Sequence, residues 1–275
     1  MNWVEDERVL WLDPLDAFLA ISLLKGSKIG EISEIGVYKG GWLLTLLRNL
    51  PHWKALGVDP YPNLPEIKKT FLHYLEFDGF SDRVELVENY DFIQEKEFNM
   101  IHIDGEHSES AVLKDLAWAE QNMSKQGVIV VDDIWHPLFP GIASAVMKVV
   151  HNGSLVPFLI TRNKIYITFE ENYQNAFSLA KKSLDAVGIE FSTGSRKGED
   201  LLGTPAAFNQ SNSIKGFEQI VVPKHSGNYI YSSLGITKSR NGSKSFAKMI
   251  IKQLLPPVIW TISKKVFSRF QSSPN

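Results

Sequence analysis

From residue 32 to residue 169, short apolar runs alternate with stretches whose apolar positions recur at helical spacing. The runs at 32–37, 55–59, 84–87, 100–104 and 128–131 read as strands. The stretches at 40–50, 65–77, 108–123 and 142–150 read as helices. Regular alternation of the two implies a parallel sheet with helices on both faces. Val128, Ile129, Val130 and Val131 are all β-branched, as expected of a strand buried on both sides. Ahead of the first strand, Asp13-Pro14 is a helix start, and Leu15, Phe18, Leu19, Ile21 and Leu23 supply its buried face. Beyond the fifth strand, the runs 155–161 and 165–169 flank Asn163-Lys164, a spacing that predicts an antiparallel hairpin at the end of the sheet. A helix follows over 173–187.

The pattern then weakens. Residues 191–213 are rich in Gly, Ser and Thr and read as loop, 217–222 as a further strand, and 224–242 as irregular. The expected organisation is a helical lead-in over 1–30, an α/β domain over 31–188 and an extension over 189–275.

Composition adds little to this picture, but charge distribution changes it. Apolar residues make up 44% and charged residues 22% of the 275, an ordinary globular balance, and the net charge of −2 gives no whole-chain affinity for nucleic acid. After Glu218 no acid follows, while lysines and arginines continue from Lys224 to Arg269, so the tail is basic. Residues 248–270 mix these cations with apolar side chains, and Pro256-Pro257 prevents one continuous helix. This segment suits either the surface of an anionic membrane, with Trp260 near the headgroups, or a helix docked on the domain or on a second copy of the chain. The absence of cysteine excludes disulfides, thiolate zinc sites and cysteine nucleophiles, and fits a reducing, cytoplasmic setting at or near the inner face of a membrane.

The first chemically informative segment is Glu34-Ile35-Gly36-Val37-Tyr38-Lys39-Gly40, which ends a strand and opens a helix. Glycine here allows a tight turn and close approach of a ligand. Asp59 ends the next strand, at the spacing where an acid binds ribose hydroxyls. A dinucleotide site needs glycine where this chain has Tyr38, and no phosphate-binding lysine loop is present. The pattern therefore suits a nucleoside without phosphates. Glu34 and Asp104 add carboxylates that favour a cationic one.

Glu34-x-Gly36-x-x-x-Gly40, Gly57-Val58-Asp59-Pro60, Ile103-Asp104-Gly105-Glu106-His107-Ser108 and Val131-Asp132-Asp133 together resemble the class I methyltransferases, in particular the metal-dependent catechol and macrocin O-methyltransferase-like branch. The resemblance spans about residues 32–169. It implies a doubly wound, mostly parallel seven-stranded sheet with the last strand antiparallel, and S-adenosyl-L-methionine as cofactor. Glu34, Gly36 and Gly40 would line its methionine end, and Asp59 would hold its ribose.

Asp104, Asp132 and Asp133 end the fourth and fifth strands, where open α/β sheets bind ligands. Three converging carboxylates call for a positive charge, and a hard divalent ion, Mg²⁺ first and Mn²⁺ or Ca²⁺ next, takes oxygen ligands of this kind. The resemblance implies acids at these three positions as the metal ligands. Such an ion would serve a hydroxyl acceptor, with Glu106 or His107 as the base. Related sugar methyltransferases carry an acid at the position of Glu106, usually Asp, which makes a sugar or glycoconjugate the expected acceptor. His136 and the wall formed by Trp135, Pro137, Phe139 and Pro140 either contact the acceptor or pack their own loop. Two other readings use the same scaffold. One is a nicotinamide-dependent oxidoreductase, against which Tyr38 argues, and the other is a non-catalytic binding module.

Overall fold

The computed structural model of the chain describes residues 12–93, 96–196 and 199–204. Its centre is one nine-stranded sheet: β1 (Gly30–Ile35), β2 (Trp53–Val58), β3 (Val84–Val87), β4 (Phe98–Ile103), β5 (Met123–Val131), β6 (Leu155–Ile160), β7 (Ile165–Phe169), β8 (Ser192–Arg196) and β9 (Glu199–Gly203). The strands lie in the order β3-β2-β1-β4-β5-β7-β6-β9-β8. β3, β2, β1, β4 and β5 are mutually parallel. β7 runs antiparallel between β5 and β6, as the hairpin spacing predicts. The order reverses direction between β1 and β4, and that crevice is where such sheets bind ligands.

One expectation is corrected. Residues 192–196 and 199–203 are not loop: β9 joins β6 in parallel and β8 pairs back onto it, so among the described residues the sheet has nine strands rather than seven. Leu202 is fully buried in the core, and one such anchor suffices to pair an otherwise polar hairpin. The expected strand at 217–222, the irregular stretch at 224–242 and the basic tail lie outside the described residues.

Helices α1 (Pro14–Leu24), α2 (Gly41–Asn49), α3 (Pro65–Phe77) and α6 (Tyr173–Val187) contribute to the core on one face. Helices α4 (Glu109–Asn122) and α5 (Pro140–Asn152) cover the other. The Asp13 carboxylate accepts the Leu15 N–H at 2.9 Å and caps α1. α2 is buried from Trp42 to Leu47, packed against the sheet and neighbouring helices. β5 is buried without interruption from Gly127 to Val131, which matches its β-branched run.

Candidate active site

Sheet register brings the functional residues to one level. Ile35 pairs with Val58 on one side and Ile103 on the other, and Ile103 pairs with Val131. The residues that follow these rungs are Gly36, Asp59, Asp104 and Asp132. Each is held by a further ladder bond: Gly36 N–H to Val58, Asp59 to Val87, Asp104 to Ile35 and Asp132 to Ile103, at 2.8–3.0 Å. Four strand tips thus end in a common row, and the acids project from fixed backbone.

The first turn is strained in a way that explains its glycines. Gly36 and Gly40 have φ of 88° and 76°, and a Cβ on Gly36 would collide with the Asp104 carbonyl. Tyr38 also has positive φ, at 50°. Asp59 holds this turn: its Oδ2 accepts the Tyr38 N–H at 2.8 Å, its Oδ1 accepts the Tyr61 N–H at 2.7 Å, and the Tyr61 hydroxyl donates to the Tyr38 carbonyl at 2.9 Å. Each Asp59 oxygen keeps a lone pair for a further donor. Glu34 is fully buried behind the turn. Burial pushes its carboxyl above the usual range, although His102 offsets part of that. Its Oε2 accepts no hydrogen bond. An orphaned carboxylate oxygen beside a close-approach turn fits a cationic nucleoside ligand.

Behind the acids runs a buried polar chain that sequence reasoning missed. Glu34 and His102 are register partners on β1 and β4, and Glu34 Oε1 lies 3.0 Å from His102 Nδ1. His102 Nε2 is 3.0 Å from the Lys164 ammonium, which also bonds Asp132 Oδ2. An ammonium only donates, so Nε2 accepts from Lys164 and Nδ1–H donates to Glu34; burial and Lys164 oppose a charge on the ring, while Asp132 and Glu34 draw its pKa up. Trp42 stacks on this imidazole with centroids 4.3 Å apart. Burial alone would discharge Lys164, but Asp132, Asp16 and Asp104 outweigh it and hold the lysine above its ordinary value. Lys164 in turn holds Asp132 well below the usual carboxylate range despite burial. The available signal was a lone imidazole inside the apolar strand Met100-Ile101-His102-Ile103, two residues before Asp104.

The outer acids are placed differently. Asp133 sits at φ 54°, a left-handed conformation, and its N–H caps Asp132 Oδ1 at 2.7 Å. Burial and the neighbouring Asp132 and Asp104 push the Asp133 carboxyl up. His107 Nε2 is 3.6 Å from Asp104 Oδ1 and has no hydrogen-bond partner; Asp104 raises its pKa. Two three-residue groups therefore share Asp104: His102, Asp104 and Asp132 inside, and Asp104, His107 and Asp133 outside. Asp104, Asp132 and Asp133 stand at neighbouring tips as expected, with Asp132 turned toward Lys164. Glu106 is exposed in the same loop. Phe139 lies between His107 and His136, 4.3 and 4.5 Å from their rings, and His136 Nδ1 accepts the Leu138 N–H at 3.3 Å. Trp135 and Leu138 remain exposed at this rim.

Two cavities of about 730 and 630 Å³ open at the opposite pole, where strands begin; Trp53, Asn99 and Lys125 line the first, and Met123, Lys125 and Phe169 the second. Among the described residues no helix is long and apolar enough to cross a membrane.

Residues 33–134 match the family model of a methyltransferase domain. No curated protein matches the chain. Solved structures match it at low identity. An S-adenosylhomocysteine-bound methyltransferase of Podospora anserina is 15% identical over 57% of this chain and 77% of that one, with TM-score 0.48. A Staphylococcus aureus protein described as a caffeoyl-CoA O-methyltransferase is 14% identical over 57% and 84%, with TM-score 0.49. A TDP-rhamnose 3′-O-methyltransferase of calicheamicin biosynthesis is 21% identical over 57% and 77%, with TM-score 0.44. The family match thus assigns residues 33–134, which carry the glycine turn and the row of strand-tip acids, to a methyltransferase domain.

Proposed function

We propose that the chain transfers the methyl group of S-adenosylmethionine to a hydroxyl oxygen, with a divalent cation assisting, and that the acceptor is a sugar or glycoconjugate. The observation that carries this reading is the outer group of Asp104, His107 and Asp133 beside the cofactor turn. Its donors are two carboxylates and an imidazole nitrogen without a hydrogen-bond partner, a set that Mg²⁺, Mn²⁺ or a similar ion accepts. A cation held there would lower the pKa of an acceptor hydroxyl and orient its oxygen. Asp59 would hold the ribose and Glu34 the cationic methionine end, with Gly36 and Gly40 allowing close approach. Glu106 is exposed two residues after Asp104 and is the base that would take the hydroxyl proton. His107 serves the ion in this reading. Trp135, Leu138 and Phe139 would form an apolar wall suited to one face of a sugar ring. The sugar acceptor draws its support from the acid at position 106 and from the family resemblance.

A thermal-shift titration with S-adenosylhomocysteine, with and without Mg²⁺, tests the assignment. At 100 times its dissociation constant the nucleoside should stabilise the fold by about 2.7 kcal/mol, and more with Mg²⁺ present. Asp133→Ala should keep the nucleoside shift and lose metal-dependent turnover on hydroxyl acceptors. No shift with the nucleoside removes the cofactor assignment. Full activity of Asp133→Ala removes the metal.

A further inference from the structure

Asp132, unlike the outer acids, has a buried cation bonded to it. Lys164 is 4% exposed, and its ammonium donates to Asp132 Oδ2 and His102 Nε2. The other Asp132 oxygen accepts the Asp133 N–H. His102 has no free nitrogen either, since Nδ1 is spent on Glu34. The pairing is fixed by register. β5 and β7 are antiparallel neighbours with Val131 opposite Ile165, which sets Lys164 beside Asp132, and the Ile134 N–H donates to the Asn163 carbonyl at 3.0 Å. A divalent ion on Asp132 would face a buried ammonium bonded to the same carboxylate, and two cations that close repel strongly.

We propose that Lys164 is an internal cation that takes the place of a metal at Asp132, so that a divalent ion binds on Asp104, His107 and Asp133 and leaves Asp132 outside its ligand set. The inference rests on the metal-assisted reading above. It makes Lys164 and Asp132 positioning residues. They clamp the end of β5, and through His102 they tie the acceptor side of the crevice to Glu34 on the cofactor side. The structure thus divides one acidic row between two kinds of positive charge, a fixed one inside and an exchangeable one outside.

The test is Mn²⁺ binding by calorimetry on the full chain, combined with thermal unfolding of the same variants. Asp133→Asn should weaken Mn²⁺ by about 10-fold or more, whereas the charge-balanced double variant Asp132→Asn with Lys164→Met should change it by no more than about twofold. Lys164→Met and Asp132→Asn should each lower the Tm, because each leaves the partner charge buried and unpaired; the double variant should recover most of the loss. Should Lys164→Met alone fail to fold, recovery of folding in the double variant gives the same result. Mn²⁺ lost on that double variant as fully as on Asp133→Asn overturns this inference alone, and so do Tm losses that simply add. A wild-type chain that binds no Mn²⁺ at all overturns the metal-assisted reading instead.

Discussion

The two poles of the sheet differ in what they spend stability on. The pole where strands begin has volume: cavities of about 730 and 630 Å³ lined by ordinary loop and strand residues such as Asn99 and Lys125. The pole where they end has strain and buried charge. All four non-glycine residues with positive φ among those described, Tyr38, Tyr61, Asn63 and Asp133, follow the ends of β1, β2 and β5. The buried chain Glu34–His102–Lys164–Asp132 lies just beneath. Strained backbone and paired buried ions persist only where surrounding structure holds them, and they gather at functional sites.

The contrast can be broken most severely at Gly36. Gly36→Ala would force a Cβ into the Asp104 carbonyl at a left-handed φ, at an expected cost of about 3 kcal/mol or more, together with loss of S-adenosylhomocysteine binding. Chemical denaturation and calorimetry would measure both; a variant as stable as wild type would show that the turn is not constrained. A middle-sized effect is expected at Asp16, which lies under the same pole and bonds the Tyr166 hydroxyl at 2.9 Å. Burial, with Asp13 adding to it, pushes the Asp16 carboxyl up to about 7. The folded state therefore keeps a proton that the unfolded chain has lost above its ordinary value of 3.8. Stability should fall as pH rises from about 4 to about 7, and Asp16→Asn should flatten that decline. Parallel pH profiles of Tm for the two chains would expose the opposite slope if Asp16 ionises freely. The smallest effect is expected at the other pole. Lys125→Ala should stay within about 0.5 kcal/mol of wild type and leave nucleoside affinity unchanged. A clear loss of affinity would give the strand-start cavities a role.

Much of this was legible in the chain. The apolar runs predicted β1–β7 and the hairpin, because strands buried on both faces need continuous apolar sequence. Asp13-Pro14 predicted the start of α1, and the glycine turn and Asp59 fall at the tips of β1 and β2, where the pattern put them. What escaped depended on partners distant in sequence. His102 and Lys164 each sit beside apolar strand residues, and their meeting follows from the order β4-β5-β7, which no local pattern encodes. The paired strands 192–196 and 199–203 are mostly polar and contain glycine, so they read as loop until β6 offers them an edge.

That hairpin has a practical meaning for anyone trimming the protein. In a seven-stranded sheet β6 would be the last strand, with its outward backbone groups, the Ile160 carbonyl among them, free to recruit another chain. Here β9 occupies them through Leu202 and Gly203. A chain cut at Gly188 would keep every proposed ligand of cofactor and metal yet present a sticky flank, and self-association would be the foreseeable result.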